Sequence, residues 1–302
     1  MRAFAWFLGL ILLALVVMAL ASYPAWLLLH PHFDFAFHRI ASRLAMLVAA
    51  IALVPLARHL RLTDPASFGY GLPWRSFVRE CSLGAALGVP LMALIALAMG
   101  VLGLRTWRAD LTLNATLLAG LVLTGLLRGL AVALIEETFL RGAMFSAVAR
   151  ESGTLAAVLC TSLVYAATHF IGRYHIAPQA VTPGSGLELV AGTLRAFAAP
   201  ARIADAFACY FAVGVVLAGV RARTGNIAAC IGLHAGWVWV IALASETSAL
   251  VPSSALGFLI SSWDGVVGWL VCAWTLAAGV LLWRFYAPRA EPGRRLTPRS
   301  GE

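Results

Sequence analysis

Apolar runs of about 20 residues, the length that crosses the hydrocarbon core of a bilayer, follow one another from one end of this chain nearly to the other. Inside lipid no water meets the backbone N–H and C=O groups, so runs of this kind must close their hydrogen bonds within each segment, as helices do. The expected fold is therefore all-α, a polytopic transmembrane helical bundle of about eight spans. The spans are read at 3–22, Ile40 to Ala57, Cys81 to Leu104, Leu117 to Ala149, Gly153 to Phe170, Ala204 to Val220, Asn226 to Ala244 and Gly265 to Tyr286. With 62% hydrophobic and 12% charged residues, the composition excludes a soluble domain. Residues 1–286 read as a single transmembrane, peptidase-like domain with its motifs in 117–240, and 287–302 as a disordered tail rich in Arg and Pro.

The chain carries a formal net charge of +9 and no lysine. Its arginines fall between the apolar runs rather than in one patch, which is the distribution of topology signals and not of a nucleic-acid surface. With alternating connections, Arg2, Arg58, Arg61, Arg75, Arg79, Arg150, Arg221, Arg223 and the tail arginines share one side. Arg39, Arg43, Arg105, Arg108, Arg173, Arg195 and Arg202 take the other. The excess places both termini in the cytoplasm, and the expected location is a bacterial inner membrane, with the lipid bilayer as a partner and no nucleic acid. The five cysteines form no C-x-x-C pair and read as small core hydrophobes. The segment 187–203 is amphipathic and reads as an interfacial helix. His30, His32 and His38 around Asp34 read as a solvated interfacial loop rather than a metal site.

The costly residues sit inside the fourth run, in Ile135-Glu136-Glu137-Thr138-Phe139-Leu140-Arg141. An ionisable group at the centre of a membrane helix costs roughly 2.5–3.5 kcal/mol on insertion scales, so three together need a reason. At about 100° per residue, Glu137 and Arg141 share a helix face and can pair, whereas Glu136 points elsewhere and is not covered by that arginine. Glu136 is thus the candidate general base or metal ligand, with Glu137 and Arg141 in support.

Two histidines stand inside other runs: His169, one turn after Tyr165, and His234, between Gly232 and Gly236, where another helix can approach closely. Three spans that each carry a group hydrocarbon rejects can satisfy all of them in one polar cavity. Such a cavity suits activation of water. Glu136 would take the proton, His169 would orient the water, and His234 would donate to the oxyanion. The same groups could instead hold zinc and leave water an open position. There is no H-E-x-x-H.

Glu136-Glu137-x-x-x-Arg141, then Tyr165-x-x-x-His169, then His234 in a late span resembles, over Leu117 to Val240, the CPBP family of intramembrane proteases. That family, also called Abi, joins type II CAAX prenyl proteases with bacteriocin-processing proteins. The resemblance implies an eight-helix membrane endopeptidase in which Glu136 activates water with His169, and His234 serves the oxyanion or a metal. It implies metalloprotease chemistry, with zinc or another divalent cation on Glu136, His169 and His234. The implied partner is a membrane-associated polypeptide, prenylated in CAAX processing.

Two positions depart from the family pattern. Tyr165 stands where the family usually has Phe, and Val238 stands where the third motif usually has Asn. Valine can neither donate a hydrogen bond nor bind a metal. The other readings of the chain are an ion-coupled transporter lined by Arg128, the glutamates and the histidines, and a non-catalytic interaction or immunity protein, to which Val238 points.

Overall fold

The computed structural model describes residues 1–112, 114–171 and 174–287. The tail read as disordered lies, apart from Ala287, outside the described residues, as does Arg173 of the topology reading. The long helices are α1 (Arg2–Leu29), α2 (Phe37–His59), α3 (Trp74–Val101), α4 (Ala115–Glu137), α5 (Phe145–Thr168), α7 (Ala204–Thr224), α8 (Ala228–Thr247) and α9 (Trp269–Phe285). The amphipathic segment is α6 (Ser185–Phe197). Two three-residue strands, β1 (Arg105–Trp107) and β2 (Ser248–Leu250), pair antiparallel with Thr106 opposite Ala249. The sequence did not announce this ribbon, which ties two connections together.

Among the described residues six helices are long and apolar enough to cross a membrane, counting Ala115–Thr168 as one piece of 54 residues; α9 is shorter. Helix of that length would run about 80 Å at 1.5 Å per residue, far beyond a bilayer. It breaks at Gly153, whose φ of +85° is open to glycine and strained for other residues. Arg141 and Tyr165 lie equally far from Gly153 in sequence, and the Arg141 guanidinium sits 4.7 Å from the Tyr165 ring centroid. The chain therefore folds back at Gly153, and the long piece makes two of the eight expected passages.

Contacts between connections obey the same alternation. The amide of Ile227 donates to the Gly69 carbonyl at 3.1 Å, and Arg150 reaches the carbonyls of Leu60 and Arg61. At the other end β1 meets β2, and His38 packs against His175 with ring centroids 4.1 Å apart. Each contact joins connections an even number of passages apart, as eight crossings require.

The polarity of the bundle is inverted. Val101 is 88% exposed and Leu12, Leu20 and Leu97 are mostly exposed, while Glu137 and Arg141 are 0% exposed. Lipid solvates the outer leucines, so the interior is where charged groups find partners. Helix α8 is buried throughout its first half, from Ala228 to Trp237, and α3 and α4 pack against it. A Cβ on Gly232 would fall 1.9 Å from the Cys81 carbonyl oxygen of α3, and one on Gly129 of α4 would fall 2.6 Å from the Ala235 carbonyl oxygen. Only glycine permits these two approaches, and they set the depth at which His234 meets α4. Gly125 also packs closely, against Trp239, whereas Gly120 faces open space.

Candidate active site

Immediately after Glu137, the helix widens into a π-helical segment, Thr138–Met144. One extra residue per turn changes which carbonyls are taken: the Phe145 amide bonds Leu140 and Gly142 instead of Arg141. The Arg141 carbonyl accepts from Arg221 Nε at 3.0 Å, and Arg221 Nη2 reaches Ser146 Oγ at 3.3 Å. This corrects the reading of Arg221 as a topology arginine. It is buried in the last turn of α7 and braces the π segment.

Glu137 and Arg141 pair as their spacing predicts, Arg141 Nη1 donating to Glu137 Oε1 at 3.0 Å. Arg141 Nη2 also donates to the Gly214 carbonyl at 3.2 Å, and its guanidinium lies over Tyr165. The same Glu137 oxygen accepts from His234 Nδ1 at 2.8 Å. Since an ionised carboxylate only accepts, the proton is assigned to Nδ1 in the neutral ring, which leaves the lone pair on Nε2. That Nε2 stands 4.0 Å from Glu136 Oε2. Glu136 is held differently from its neighbour: its side chain is about one-third exposed where Glu137 is fully buried, while Oε2 of each has no hydrogen-bond partner among the described residues.

His169 ends α5 one turn after Tyr165. Its Nδ1 lies 2.8 Å from the Tyr165 carbonyl oxygen, a pure acceptor, so this nitrogen carries the proton. The ring packs 4.4 Å from Tyr165 and stacks 4.1 Å from Tyr210 of α7. Tyr165 in turn stands 6.0 Å from the His234 ring, so the tyrosine lies between the two histidines.

A cavity of about 310 Å³ opens beside these rings. His169, His234, Tyr165 and Tyr210 line it, together with Asp264 and an apolar wall that includes Trp237 and Trp274. Val238, one turn after His234, also faces it, and so does Val132, one turn before Glu136. Glu136 itself is not part of the lining and meets the cavity by way of His234. The structure thus brings Glu137, Arg141, Tyr165, His169 and His234 together, with Glu136 at the edge.

Sequence reasoning passed over Tyr210 and Asp264. Tyr210 looks like an ordinary aromatic of an apolar span, and Asp264 lies in a connection. Its carboxylate takes the Tyr210 hydroxyl on one oxygen and the amides of Val266 and Val267 on the other. An acid between Trp263 and a run of apolar residues was the available signal, but nothing in the order of residues says which span it meets.

The donor types around the cavity, imidazole and carboxylate, are those that zinc accepts. Their arrangement is another matter: among the described residues no three His, Cys, Asp or Glu side chains are gathered as a metal set. His234 Nδ1 is committed to Glu137 and His169 Nδ1 to a carbonyl. The chemistry below is therefore derived from the protein's own groups.

Spans that bury a carboxylate, a guanidinium and two imidazoles beside a cavity define a polytopic helical membrane protein with a polar site within its bundle. Residues 118–240 match the family model described as Rce1-like, type II CAAX prenyl endopeptidase, so this chain carries an Rce1-like segment. The matched stretch runs from α4 into α8 and contains Glu136, Glu137, Arg141, Tyr165, His169, Tyr210 and His234. No curated protein matches the chain. No solved structure matches it.

Proposed function

We propose that this chain is an intramembrane endopeptidase of the CAAX-processing kind, which hydrolyses a peptide bond of a membrane-associated polypeptide with water activated by Glu136. The observation that carries the reading is His234, with one nitrogen on Glu137 and the other turned to Glu136 beside a cavity shared with His169. A water about 2.8 Å from both Glu136 Oε2 and His234 Nε2 spans their separation with ordinary hydrogen bonds.

In the proposed reaction Glu136 takes one proton of the water, and the water oxygen adds to the substrate carbonyl carbon. His169, its Nδ1 on the Tyr165 carbonyl and its ring beside the same cavity, orients this water. Negative charge collects on the carbonyl oxygen. His234, which takes a second proton from solvent on Nε2 before the water adds and keeps it throughout, is anchored by Glu137 at Nδ1 and donates Nε2–H to that oxygen; donors of this kind lower such barriers by about 2.7–4 kcal/mol each. The C–N bond then breaks, and Glu136 returns its proton to the leaving amine nitrogen. Arg141 holds Glu137 in place.

The zinc reading of Glu136, His169 and His234 rests on donor type, and a bound divalent metal there would supply Lewis acidity. The arginine distribution supports both termini on the cytoplasmic side of a bacterial inner membrane. Prenylated peptides are the substrates that the matched family's description suggests.

Val238 favours a second reading. It faces the cavity without a donor, which suits a non-catalytic membrane protein that keeps the packing of the site. Cleavage decides between the two. Purified protein in liposomes is offered quenched peptides with and without a prenyl group, alongside Glu136→Gln, His169→Gln and His234→Gln. Hydrolysis that falls about 100-fold or more in Glu136→Gln, the scale of a lost general base, supports the peptidase. Equal hydrolysis by wild type and Glu136→Gln sinks it, and a wild type that cleaves no peptide of either class supports the non-catalytic reading.

A further inference from the structure

Arg221 has no part in the reaction written above, yet it and Arg141 are the two arginines buried among the described residues. Its guanidinium goes to two oxygens that carry no full charge. One is the Arg141 carbonyl inside the π segment, at 3.0 Å, and the other is Ser146 Oγ just past it, at 3.3 Å. Arg223, two residues on at the same helix end, lies instead over the Trp283 ring, 3.6 Å from its centroid. Seven residues before Arg221, about two turns away on the same face of α7, the Gly214 carbonyl accepts from Arg141 Nη2 at 3.2 Å. Helix α7 therefore holds Arg141 at two points, the side chain from Gly214 and the main chain from Arg221. The first point is fixed by packing, since a Cβ on Gly214 would fall 2.8 Å from Ser162 Cα of α5.

We infer that Arg221 is a positioning residue for Glu137 and His234: by holding the Arg141 carbonyl and the Ser146 hydroxyl in fixed relation it sets the rotation of the π segment, which aims Arg141 at Glu137. A π turn is a rare backbone state, so contacts from another element have to hold it open. Nε–H and Nη2–H lie on one edge of a planar fork and point the same way, so one guanidinium can grip both oxygens, as an ammonium cannot. The rotation matters because Glu137 Oε1 is shared, 3.0 Å from Arg141 Nη1 and 2.8 Å from His234 Nδ1. A turn of the π segment would carry through that oxygen to the imidazole, and productive geometry tolerates about 0.5 Å of such drift. The catalytic consequence rests on the peptidase reading of His234; the positioning itself does not.

The test separates the two. Histidine-selectively labelled protein in micelles gives imidazole signals, with His234 assigned by its absence in His234→Gln. Arg221→Gln removes the fork, Arg221→Lys keeps the charge on a single nitrogen, and Ser146→Ala removes one of the two held oxygens. Arg223→Gln takes from the same helix end the arginine that lies on Trp283, and is the control. The His234 signal is expected to move furthest in Arg221→Gln, less in Arg221→Lys and Ser146→Ala, and not in Arg223→Gln. On prenylated or unprenylated peptides Arg221→Gln should lower kcat roughly tenfold at unchanged KM, the scale of a small misplacement of reacting groups. A His234 signal at its wild-type position in Arg221→Gln, with only a lower unfolding midpoint, overturns the inference. So does an equal shift in Arg223→Gln, or a change in KM alone. Where Arg221→Gln does not fold, Arg221→Lys and Ser146→Ala decide, and two unmoved His234 signals overturn the inference. If wild type cleaves no peptide, the peptidase reading fails while the His234 spectrum still decides this one.

Discussion

His234 and Arg141, one from α8 and one from the π segment, meet on a single oxygen: Glu137 Oε1 accepts from His234 Nδ1 at 2.8 Å and from Arg141 Nη1 at 3.0 Å. Adjacent glutamates thereby acquire different work. Glu137 is fully buried with both partners on Oε1, and Glu136 keeps a third of its side chain exposed and meets His234 Nε2 at 4.0 Å.

Substitutions at the two acids should separate accordingly. Glu137→Ala leaves the Arg141 guanidinium buried without its counter-charge, and breaking a buried pair in this way costs about 3–5 kcal/mol. Its unfolding midpoint in detergent should drop by many degrees. Glu136→Gln, which replaces a one-third exposed group by its isostere, should unfold within about 0.5 kcal/mol of wild type and lose peptidase activity. Equal destabilisation by the two would contradict the division of labour.

Val238→Asn supplies a donor on the cavity wall one turn after His234. A single oxyanion donor is worth roughly 100-fold or more in kcat where it is well aimed. We expect Val238→Asn to raise kcat by about tenfold, since its aim is not optimised. Initial rates on one quenched peptide measure this, and a fall in rate would show that the site uses the apolar wall as it stands.

Gly232→Ala should disturb both stability and function, because its Cβ would meet the Cys81 carbonyl oxygen at 1.9 Å and backbone, not a flexible side chain, must move. Overpacking of this kind costs about 1–3 kcal/mol. As α8 shifts away from α3, His234 leaves Glu137, so activity falls together with the melting temperature. Gly120→Ala, with nothing within 4 Å of the added carbon, is the matched control and should behave as wild type.

Chelation probes the cation. With water activated by Glu136 and the histidines alone, EDTA or phenanthroline leaves the rate of hydrolysis unchanged. Inhibition reversed by added zinc would instead assign Glu136, His169 and His234 to a metal, with the Nδ1 bonds of the two rings in the orienting role such bonds have beside a metal.

Much of this site is legible from residue order because its parts are local. The pairing of Glu137 with Arg141 follows from 3.6 residues per turn, and the helical spacing of Tyr165 and His169 likewise puts them one above the other. Spacing also shows that Glu136 and Glu137 face different ways. It does not show which of them His234 bonds, because that depends on how α4 crosses α8, where Gly129 lets the α4 backbone meet the Ala235 carbonyl. Arg221 misleads for a related reason: an arginine at the end of an apolar run looks like a loop charge until a π segment on another helix offers it an open carbonyl.

The sequence by itself determined that this chain crosses a membrane many times as helices. Hydrophobic length and the need to satisfy the backbone within each segment leave no other solution. It also determined that ionisable groups on three separate spans must find one another, since lipid cannot solvate them. Only the tertiary structure decided the partners: His234 on Glu137, Arg221 on the Arg141 carbonyl, and Asp264 of a connecting loop on Tyr210 beside His169. Those contacts join residues far apart in the chain, and their geometry comes from close packing between helices, which the periodicity of any one segment does not encode.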